Sequence, residues 1–404
     1  MDDVEAKVDD QQAQRVLDQI DEGETIQLLQ ALVRDEASVN PPGDVRGSIR
    51  ICQEKLAAEG FETETIGDLE IMPNLIATLR RGAGPTLLFN AHVDVVPTGE
   101  VSAWSHPPFA AEVDDGRVYG RGAGDDKASV TAQVMGAIAL ARSGVEFGGT
   151  LIVNVVADEE TGGRHGALYV VQNIATRPDY VIVGEQTLSQ VAIGERGFAS
   201  TQVTTRGRAA HGALPWEGAN AIEAMAEVIV ALRREMWPVL EERVNPYFHH
   251  SSASINMISG GIKQNVVPDQ CSIYIDRRII PGEDPAEVVG EIQEVAERAI
   301  TGIEGISVEV KGLGLTAASM SDPESPAVRA MLAANERLGL STELTGFSMG
   351  TDGRHFSAAG IPTIIYGPGD PKLAHIPDEW VGVDEVVQAT RAYALTALGV
   401  LTGG

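Results

Sequence analysis

One apolar stretch, Leu87–Pro97, constrains the fold of this chain more than any other. It begins as a continuous apolar run of β type, which is typical of a buried strand, and it ends in a turn. His92 and Asp94 interrupt the run near its end, and residues two apart on a strand lie on the same side. A buried strand normally excludes both side chains. The pattern therefore predicts either a solvated strand end or a functional site at the edge of a sheet.

Two later apolar runs also end in acidic residues. Glu159–Glu160 follow Leu151–Ala157, and Glu185 follows Tyr180–Val183. Helical stretches separate the three runs, which indicates an α/β sheet, and strands are also expected near 72–80 and 362–366. Ligands of such sheets gather at the carboxyl ends of the strands. We therefore expect these acids to lie close to the end of the first run.

The pattern changes from about Phe198. The order of elements becomes β-α-β-β-α-β, which matches a ferredoxin-like split unit. Its predicted strands are Thr201–Thr205, Ser252–Ile258, Cys271–Arg277 and Ile306–Lys311, and its helices are Ala219–Arg234 and Pro285–Ala299. Gly312 and Gly314 are taken to mark the return to the first domain. The prediction is an α/β chain of two domains, in which residues 198–315 are inserted between 1–197 and 316–404.

Further helices are predicted over the first thirty residues, 45–59, 129–142 and 324–338, and from about 383. The N-terminal helix has its apolar positions at helical spacing. They are Val16, Leu17, Ile20, Ile26, Leu29 and Leu32.

The charge and composition of the chain exclude some binding partners and indicate a cellular compartment. The formal charge of −28 over 404 residues argues against binding nucleic acid or an anionic membrane. The basic residues are mostly arginine, a bias that with the excess of acids indicates a salt-loving source, or else a plain acidic cytosolic enzyme. Met1–Glu5 lacks the features of a signal peptide, no apolar run is long enough to span a membrane, and only two cysteines occur. We therefore expect a cytoplasmic protein without a disulfide scaffold.

The side chains that carry chemistry are acids and imidazoles at strand ends or in loops. Nitrogen and carboxylate ligands without thiolate suit zinc or a similar divalent ion. Gly120–Gly124 lacks the spacing of a phosphate-binding loop and the Lys-Ser/Thr pair that opens its helix. The candidates are His92, Asp94, Asp125, Glu159, Glu160, Glu185, His211 and His375.

These residues stand in a series of short motifs that covers nearly the whole chain. In order they are His92-x-Asp94, Gly120-Arg121-Gly122-x-x-Asp125-x-Lys127, Glu159-Glu160, Gly184-Glu185, Ala210-His211-Gly212, Asn265-Val266-Val267-Pro268, Asp276-Arg277-Arg278, Thr351-Asp352-Gly353-Arg354 and His375. The series resembles the zinc-dependent deacylase and exopeptidase family that includes acetylornithine deacetylase, succinyl-diaminopimelate desuccinylase, aminoacylase and glutamate carboxypeptidase.

The resemblance implies a metallopeptidase-like fold and a centre with two zinc ions, for which Co²⁺ can substitute. His92 and Glu185 would bind one ion, Glu160 and His375 the other. Asp125 would bridge them, followed by a cis peptide bond to Asp126. The mixed-sheet domain would then be the catalytic domain, and the inserted βαββαβ domain a lid that also forms a homodimer.

The resemblance also assigns catalytic and substrate-binding roles. Asp94 would hold the second ring nitrogen of His92, and Glu159 would be the general base. His211 would stabilise the oxyanion, often from a partner subunit. Asn265, Arg278 and Arg354 would bind a substrate carboxylate, although a structural salt bridge to Asp276 is an alternative for Arg278. The remaining histidines match no ligand position; they are His106, His165, His249, His250 and His355.

The implied reaction is hydrolysis of an amide bond next to a free carboxylate. The expected substrate is a small N-acyl amino acid, as for acetylornithine deacetylase or succinyl-diaminopimelate desuccinylase. A di- or tripeptidase or a carboxypeptidase on the same site is the alternative activity. A binding protein that has lost catalysis is a third hypothesis, which the presence of every ligand and of Glu159 disfavours.

Overall fold

The computed structural model describes residues 9–403 of the chain. The prediction about the N-terminal sequence, Met1–Glu5, lies outside the described residues. No described helix has both the length and the apolar character that a membrane crossing requires.

The helices of the described residues agree closely with the predicted ones in most places. They are α1 (Asp10–Leu17), α2 (Glu22–Val33), α3 (Arg46–Ala58), α4 (Lys127–Arg142), α5 (Ala167–Asn173), α6 (Ala221–Ala231), α7 (Trp237–Glu242), α8 (Pro285–Ala299), α9 (Pro326–Leu338), α10 (Gly353–Ala358) and α11 (Val383–Leu401).

The strands include short ones that the sequence pattern did not reveal. They are β1 (Glu62–Ile66), β2 (Asn74–Arg81), β3 (Thr86–His92), β4 (Glu112–Asp114), β5 (Arg117–Tyr119), β6 (Gly149–Val156), β7 (Tyr180–Gly184), β8 (Val191–Glu195), β9 (Gly197–Arg206), β10 (Ala210–His211), β11 (Ser252–Gly260), β12 (Val266–Val267), β13 (Gln270–Ile279), β14 (Ser307–Thr316), β15 (Leu344–Phe347), β16 (Thr363–Tyr366) and β17 (Trp380–Gly382).

The chain divides into two compact units. The first unit comprises the described residues up to Gly194, Ser321–Thr345 and the described residues from Thr351, and the second unit comprises Glu195–Met320 and Gly346–Gly350. The insertion predicted over 198–315 is thus slightly longer in the structure. Where the chain re-enters the first unit, the Ser321 N–H donates to the Ile193 carbonyl at 2.7 Å.

An eight-stranded mixed sheet forms the first unit, in the order β1-β2-β6-β3-β7-β16-β8-β15. This confirms the predicted mixed α/β architecture. The neighbours β6, β3, β7 and β16 are parallel, whereas β2 runs antiparallel to β6. Every residue of β3 and of β6 is buried, as their apolar sequences require. The carboxyl ends of β3, β6 and β7 therefore meet at one edge of the sheet.

The second unit contains a four-stranded antiparallel sheet in the order β11-β13-β9-β14. With α6 and α8 between the strands, the chain order is β-α-β-β-α-β, as the sequence predicted. The apolar core lies between helices and sheet and includes Val203, Met225, Ile273 and Ile292. The sheet ends on one side in β11, whose outer edge has no partner strand among the described residues.

The prediction that Gly312 and Gly314 mark the return to the first unit is wrong. Both glycines lie inside β14, which continues to Thr316, and the pairing register with β9 shifts between them. A single extra residue in one strand produces such a bulge, and glycine permits its backbone geometry. The glycines therefore bend an edge strand.

Candidate metal centre

His92 is the last residue of β3, and its ring is buried. Its Nδ1 lies 3.0 Å from the Asp94 carbonyl oxygen. Because a carbonyl oxygen only accepts hydrogen bonds, Nδ1 carries the proton of the neutral ring and Nε2 keeps its lone pair. Nε2 is buried, makes no hydrogen bond among the described residues, and lies 3.2 Å from Asp125 Oδ1. Two atoms with lone pairs at this distance need either a proton or a metal cation between them.

A second group of donors lies on the other side of Asp125. His375 Nε2 is 3.2 Å from Asp125 Oδ2 and 3.1 Å from Glu160 Oε1. The donor atoms of Asp125, Glu160 and His375 lie within 4.8 Å of one another, and so do those of His92, Asp125 and Glu185. The structure thus brings together all the predicted metal ligands, with Asp125 common to both groups. The peptide bond from Asp125 to Asp126 is cis.

The electrostatics of these groups indicate that positive charge belongs between them. Hydrogen bonds to Asp125 and Glu160 raise the pKa of His375 to about 10. Burial raises the pKa of Glu160, and it raises that of Glu185 well above the ordinary value, where nearby carboxylates add to the effect. A divalent cation would relieve this repulsion. Nitrogen and oxygen donors without thiolate suit zinc and related metals, so the residues fit such a centre.

Asp94 contacts His92 differently from the prediction. The nearest contact is through its main chain, since its carboxylate Oδ1 lies 3.5 Å from His92 Nδ1. The carboxylate instead accepts from the backbone N–H groups of Glu159 and Glu160, at 3.2 and 3.3 Å. Asn40 Nδ2 donates to the same carboxylate at 2.9 Å. Asp94 therefore ties the end of β3 to the turn that carries Glu159 and Glu160.

Glu159 follows β6 in a short 3₁₀ turn that begins after Asp158, whose φ of 67° is left-handed. Burial raises the pKa of Glu159 well above its ordinary value. Arg354 Nη2 lies 3.6 Å from Glu159 Oε1. The predicted base and one predicted substrate-binding arginine thus face each other within the first unit.

The other predicted catalytic and substrate residues belong to the second unit. His211 is exposed on β10, which pairs with β12, and its Nδ1 accepts from the Ala213 N–H at 3.1 Å. Asn265 lies beside it, because the Gly212 N–H donates to the Asn265 carbonyl at 2.8 Å. These two predicted residues therefore share one small β structure.

Arg278 forms a two-pronged ion pair with Asp276. Its Nε and Nη2 lie 2.8 and 3.1 Å from the two carboxylate oxygens. This is the salt bridge that the sequence left open as an alternative. Both side chains remain about one-third exposed, at 37% and 33%. The pair therefore leaves Arg278 accessible to solvent.

The sequence reading missed several residues that this geometry singles out. Asn40, Arg121 and Glu379 are buried and bond to the segments that carry the donors. Arg196 of the second unit is only 8% exposed, and its Nε has no hydrogen bond among the described residues. Arg121 lies in the motif that contains Asp125, and Glu379 lies four residues after His375, which was the available signal. For Asn40 and Arg196 the sequence offered no signal other than the proline or glycine that follows each of them.

Comparison with known proteins decides the family. The sequence profile of peptidase family M20/M25/M40 matches residues 88–399. The chain belongs to this family. Residues 88–399 include every predicted metal ligand and both stretches that flank the second unit, so the match extends across the whole centre. A member of the M20/M25/M40 family is a metal-dependent hydrolase, and the chain is therefore an enzyme of that class.

Relatives and solved structures of the family cover nearly the whole chain. Succinyl-diaminopimelate desuccinylase of Hydrogenovibrio crunogenus is 29% identical over 94% of this chain and 99% of its own length. Aminopeptidase PepT of Bacillus cereus has a TM-score of 0.76 at 19% identity, covering 95% and 99% of the two chains. The YXEP protein of Bacillus subtilis, a dinuclear metal-binding peptidase of the M20 family, has a TM-score of 0.72 at 19% identity, covering 94% and 98%. These structural likenesses confirm the fold.

Proposed function

We propose that the protein is a two-metal deacylase that hydrolyses the amide bond of an N-acyl amino acid next to its free carboxylate. One observation carries the proposal. The two oxygens of Asp125 face the imidazoles of two different donor groups, each at 3.2 Å, and Glu159 stands beside them on the same turn as Glu160. Zinc suits these donors best, and cobalt is the natural substitute.

Glu159 has the position of a general base. Two divalent ions held by the donor groups would polarise the amide carbonyl and lower the pKa of the attacking water. Glu159 would take a proton from that water and return it to the leaving amine, and burial, which raises the pKa of this carboxylate, makes it a better proton acceptor. Arg354, 3.6 Å from Glu159, would hold this carboxylate in place as well as attract an anionic substrate.

His211 is proposed as the donor to the oxyanion. Its Nδ1 accepts the Ala213 N–H, so the neutral ring carries its proton on Nε2, where it can be donated. A positioned donor of this kind stabilises the charge that develops on the carbonyl oxygen. The tautomer supports the role that the family resemblance implies for this residue.

Arg196 and Arg278 of the second unit, together with Asn265, are proposed to bind the free carboxylate of the substrate. Within residues 9–403, the Arg196 guanidinium donates to neutral acceptors alone, the His250 carbonyl at 3.1 Å and Ser252 Oγ at 2.8 Å. Burial and the charges of Arg278 and Arg277 lower the pKa of Arg196, and a substrate carboxylate nearby would offset this repulsion. Since the Hydrogenovibrio relative is a succinyl-diaminopimelate desuccinylase, N-succinyl amino acids are the first substrates to test.

A homodimer is proposed to form through the free edge of the second unit. Met257 and Ile258 on the edge strand β11 are 64% and 61% exposed, and Ile262 just beyond it is 86% exposed. An unpaired edge with exposed apolar residues is suited to pairing with the same edge of a second copy.

A hydrolysis screen tests the proposed activity. Purified protein is supplied with Zn²⁺ or Co²⁺ and given N-succinyl and N-acetyl amino acids and dipeptides, at low and high salt. We expect the N-acyl amino acids to be hydrolysed fastest and chelation to abolish turnover. Faster cleavage of dipeptides would make the enzyme a peptidase. Bound metal without turnover of any substrate would favour a binding protein.

A further inference from the structure

The loops that carry Asp125 and His375 are joined by one buried ion pair, between Arg121 and Glu379. Arg121 is 1% exposed and Glu379 is fully buried, and Arg121 Nη1 bonds to Glu379 Oε2. Glu379 immediately precedes β17, which pairs with β5 just before Arg121. The pair therefore lies directly behind the two loops, and neither residue belongs to the donor groups.

Glu379 reaches the loop of the shared ligand. Its Oε1 accepts the backbone N–H groups of Gly124 and Asp125, at 3.0 and 3.1 Å. Its own carbonyl also accepts the Gly120 N–H at 2.9 Å. One carboxylate thus fixes the main chain at Asp125, whose two oxygens must point in different directions.

Arg121 reaches the loop of the other ligand. Its Nη1 donates to the carbonyl of Ile376, the residue after His375, at 3.4 Å. The indole of Trp104 covers its guanidinium at 5.1 Å. The guanidinium therefore connects the Glu379 carboxylate with the main chain next to His375.

His375 needs such support more than the other imidazole does. His92 and Glu185 end or follow buried strands of the sheet, which fix their positions. His375 instead lies in a loop, has a left-handed φ of 65°, and its side chain is 51% exposed. Its main chain is therefore held by the loop alone, and its Nε2 contacts only the other two donors of its group among the described residues.

We propose that Arg121 and Glu379 are positioning residues that hold the second donor group, Asp125, Glu160 and His375, in the geometry that binds metal. A buried ion pair is weak evidence for stability, because apolar residues of similar size often serve as well. Its hydrogen bonds to both loops indicate that the pair orients the ligands that these loops carry. Residues that orient ligands in this way typically change metal affinity about 10- to 100-fold when they are replaced.

The inference rests on the proposed two-metal centre, and the test separates the two ideas. Metal-free protein is titrated with Co²⁺, and binding is followed by calorimetry and by the visible absorption of the ion. Wild-type protein is expected to bind two ions per chain. If it does not, the two-metal centre is wrong and the inference falls with it.

The decisive variant replaces both charges, Arg121→Met with Glu379→Gln, so that no buried charge is left alone. We expect the second ion to bind about 10- to 100-fold more weakly, and the ion at the His92 group to be weakened less, because it shares Asp125 but not His375. Arg121→Lys keeps the pair but loses the planar fork, so it should weaken the second ion to a smaller extent. Circular dichroism of the metal-free proteins shows whether each variant folds. If the double variant does not fold, Arg121→Lys tests the inference in its place.

Asp378→Asn is the matched control. Asp378 lies in the same loop, and its Oδ1 accepts the N–H groups of Ser105 and His106, which an amide oxygen also does. This variant removes a charge near His375 without touching the Arg121–Glu379 pair, and it should bind both ions as wild type does. Unchanged affinity for the second ion in the Arg121 and Glu379 variants would overturn the inference. An equal loss of both ions would do the same, since it would indicate general loosening.

Discussion

Asp125 is the residue on which the centre depends, because no other described residue belongs to both donor groups. Glu159, by contrast, belongs to neither group and has no metal to hold. Replacing the two residues should therefore have different consequences, and the difference can be measured.

We expect Glu159→Gln to keep its metal and to lose turnover by about 10²- to 10⁴-fold, as when a proton-transfer group is removed. The amide keeps the size of the side chain but cannot accept the proton. Metal content by atomic emission and kcat on the best substrate are the measurements. His92→Ala is the comparison variant, which should lose metal as well as activity. Near-normal kcat in Glu159→Gln would contradict its role as base.

For the single residues of the metal centre, the sequence predicted which side chains come together but not which hydrogen bonds hold each of them. His92, Asp125, Glu160, Glu185 and His375 stood out as acids and imidazoles at strand ends or in loops, and the family resemblance assigned them to the metals. The Asp94 carboxylate bonds to the backbone N–H groups of Glu159 and Glu160, and Asn40 donates to it. Contacts of this kind depend on loop geometry, which residue types and spacing do not specify.

Three helices of the first unit are joined by a network of ion pairs around Glu24. Glu24 of α2 contacts Lys55 of α3 at 2.8 Å and Arg142 of α4 at 2.7 Å, and Arg142 also contacts Glu59 at 2.5 Å. Hydrogen bonds from Arg142 and Lys55 lower the pKa of Glu24 to about 2. The folded state therefore favours the charged carboxylate more than the unfolded state does.

We expect Glu24→Gln to lower the free energy of unfolding by about 1 kcal/mol at pH 7, since partly exposed pairs contribute modestly. A lowered pKa gives stability that is present above the unfolded value of 4.5 and is lost as the pH falls towards about 2. The difference from wild type in urea unfolding should therefore shrink between pH 4.5 and pH 3. Glu22→Gln, in the same helical turn, is the control. A difference that stays constant with pH would rule out the network as the cause.

Among the elements, long periodic segments were predictable and short ones were not. α8 begins and ends at the predicted residues, because its apolar spacing and the capping Asp284 mark it clearly. The N-terminal helix is split in two, since Asp21 caps a new helix by accepting the Glu24 N–H at 2.7 Å. The three-residue strands β4, β5 and β17 were missed, because three residues are too few to show a period.

The charge of the whole molecule leads to a prediction about salt. At −28 the folded chain repels itself, and salt screens this repulsion over about 10 Å at 0.1 M and over less at higher concentration. We expect the melting temperature to rise steadily from low salt into the molar range. Calorimetry in NaCl, with a neutral osmolyte as control, measures it. A flat or falling curve would favour a plain acidic enzyme over one adapted to salt.

Assembly can be tested together with the role of His211. We expect light scattering to show a dimer, and Ile258→Lys on the edge of β11 to shift it towards monomer.

His211→Ala should keep its metal and lose about 10²- to 10³-fold in turnover. If His211 acts on a neighbouring chain, mixing this variant with Glu159→Gln should restore activity, because a mixed dimer has one site with both residues intact. Verified mixed dimers without activity would mean that His211 serves its own chain.

The hydrogen bond between Ser321 and Ile193 has a consequence for how such an enzyme can diversify. The chain leaves and re-enters the first unit at bonded neighbours, so both ends of the long inserted segment lie at one place. We call this segment the module; the short stretch Gly346–Gly350 is its only other part among the described residues. A long insertion at such a point costs little, since closing a loop twice as long adds only about 0.6 kcal/mol. All the donors of the centre lie outside the module. If the second unit binds the substrate as proposed, its exchange could give a lineage new substrates while the metal chemistry is inherited unchanged.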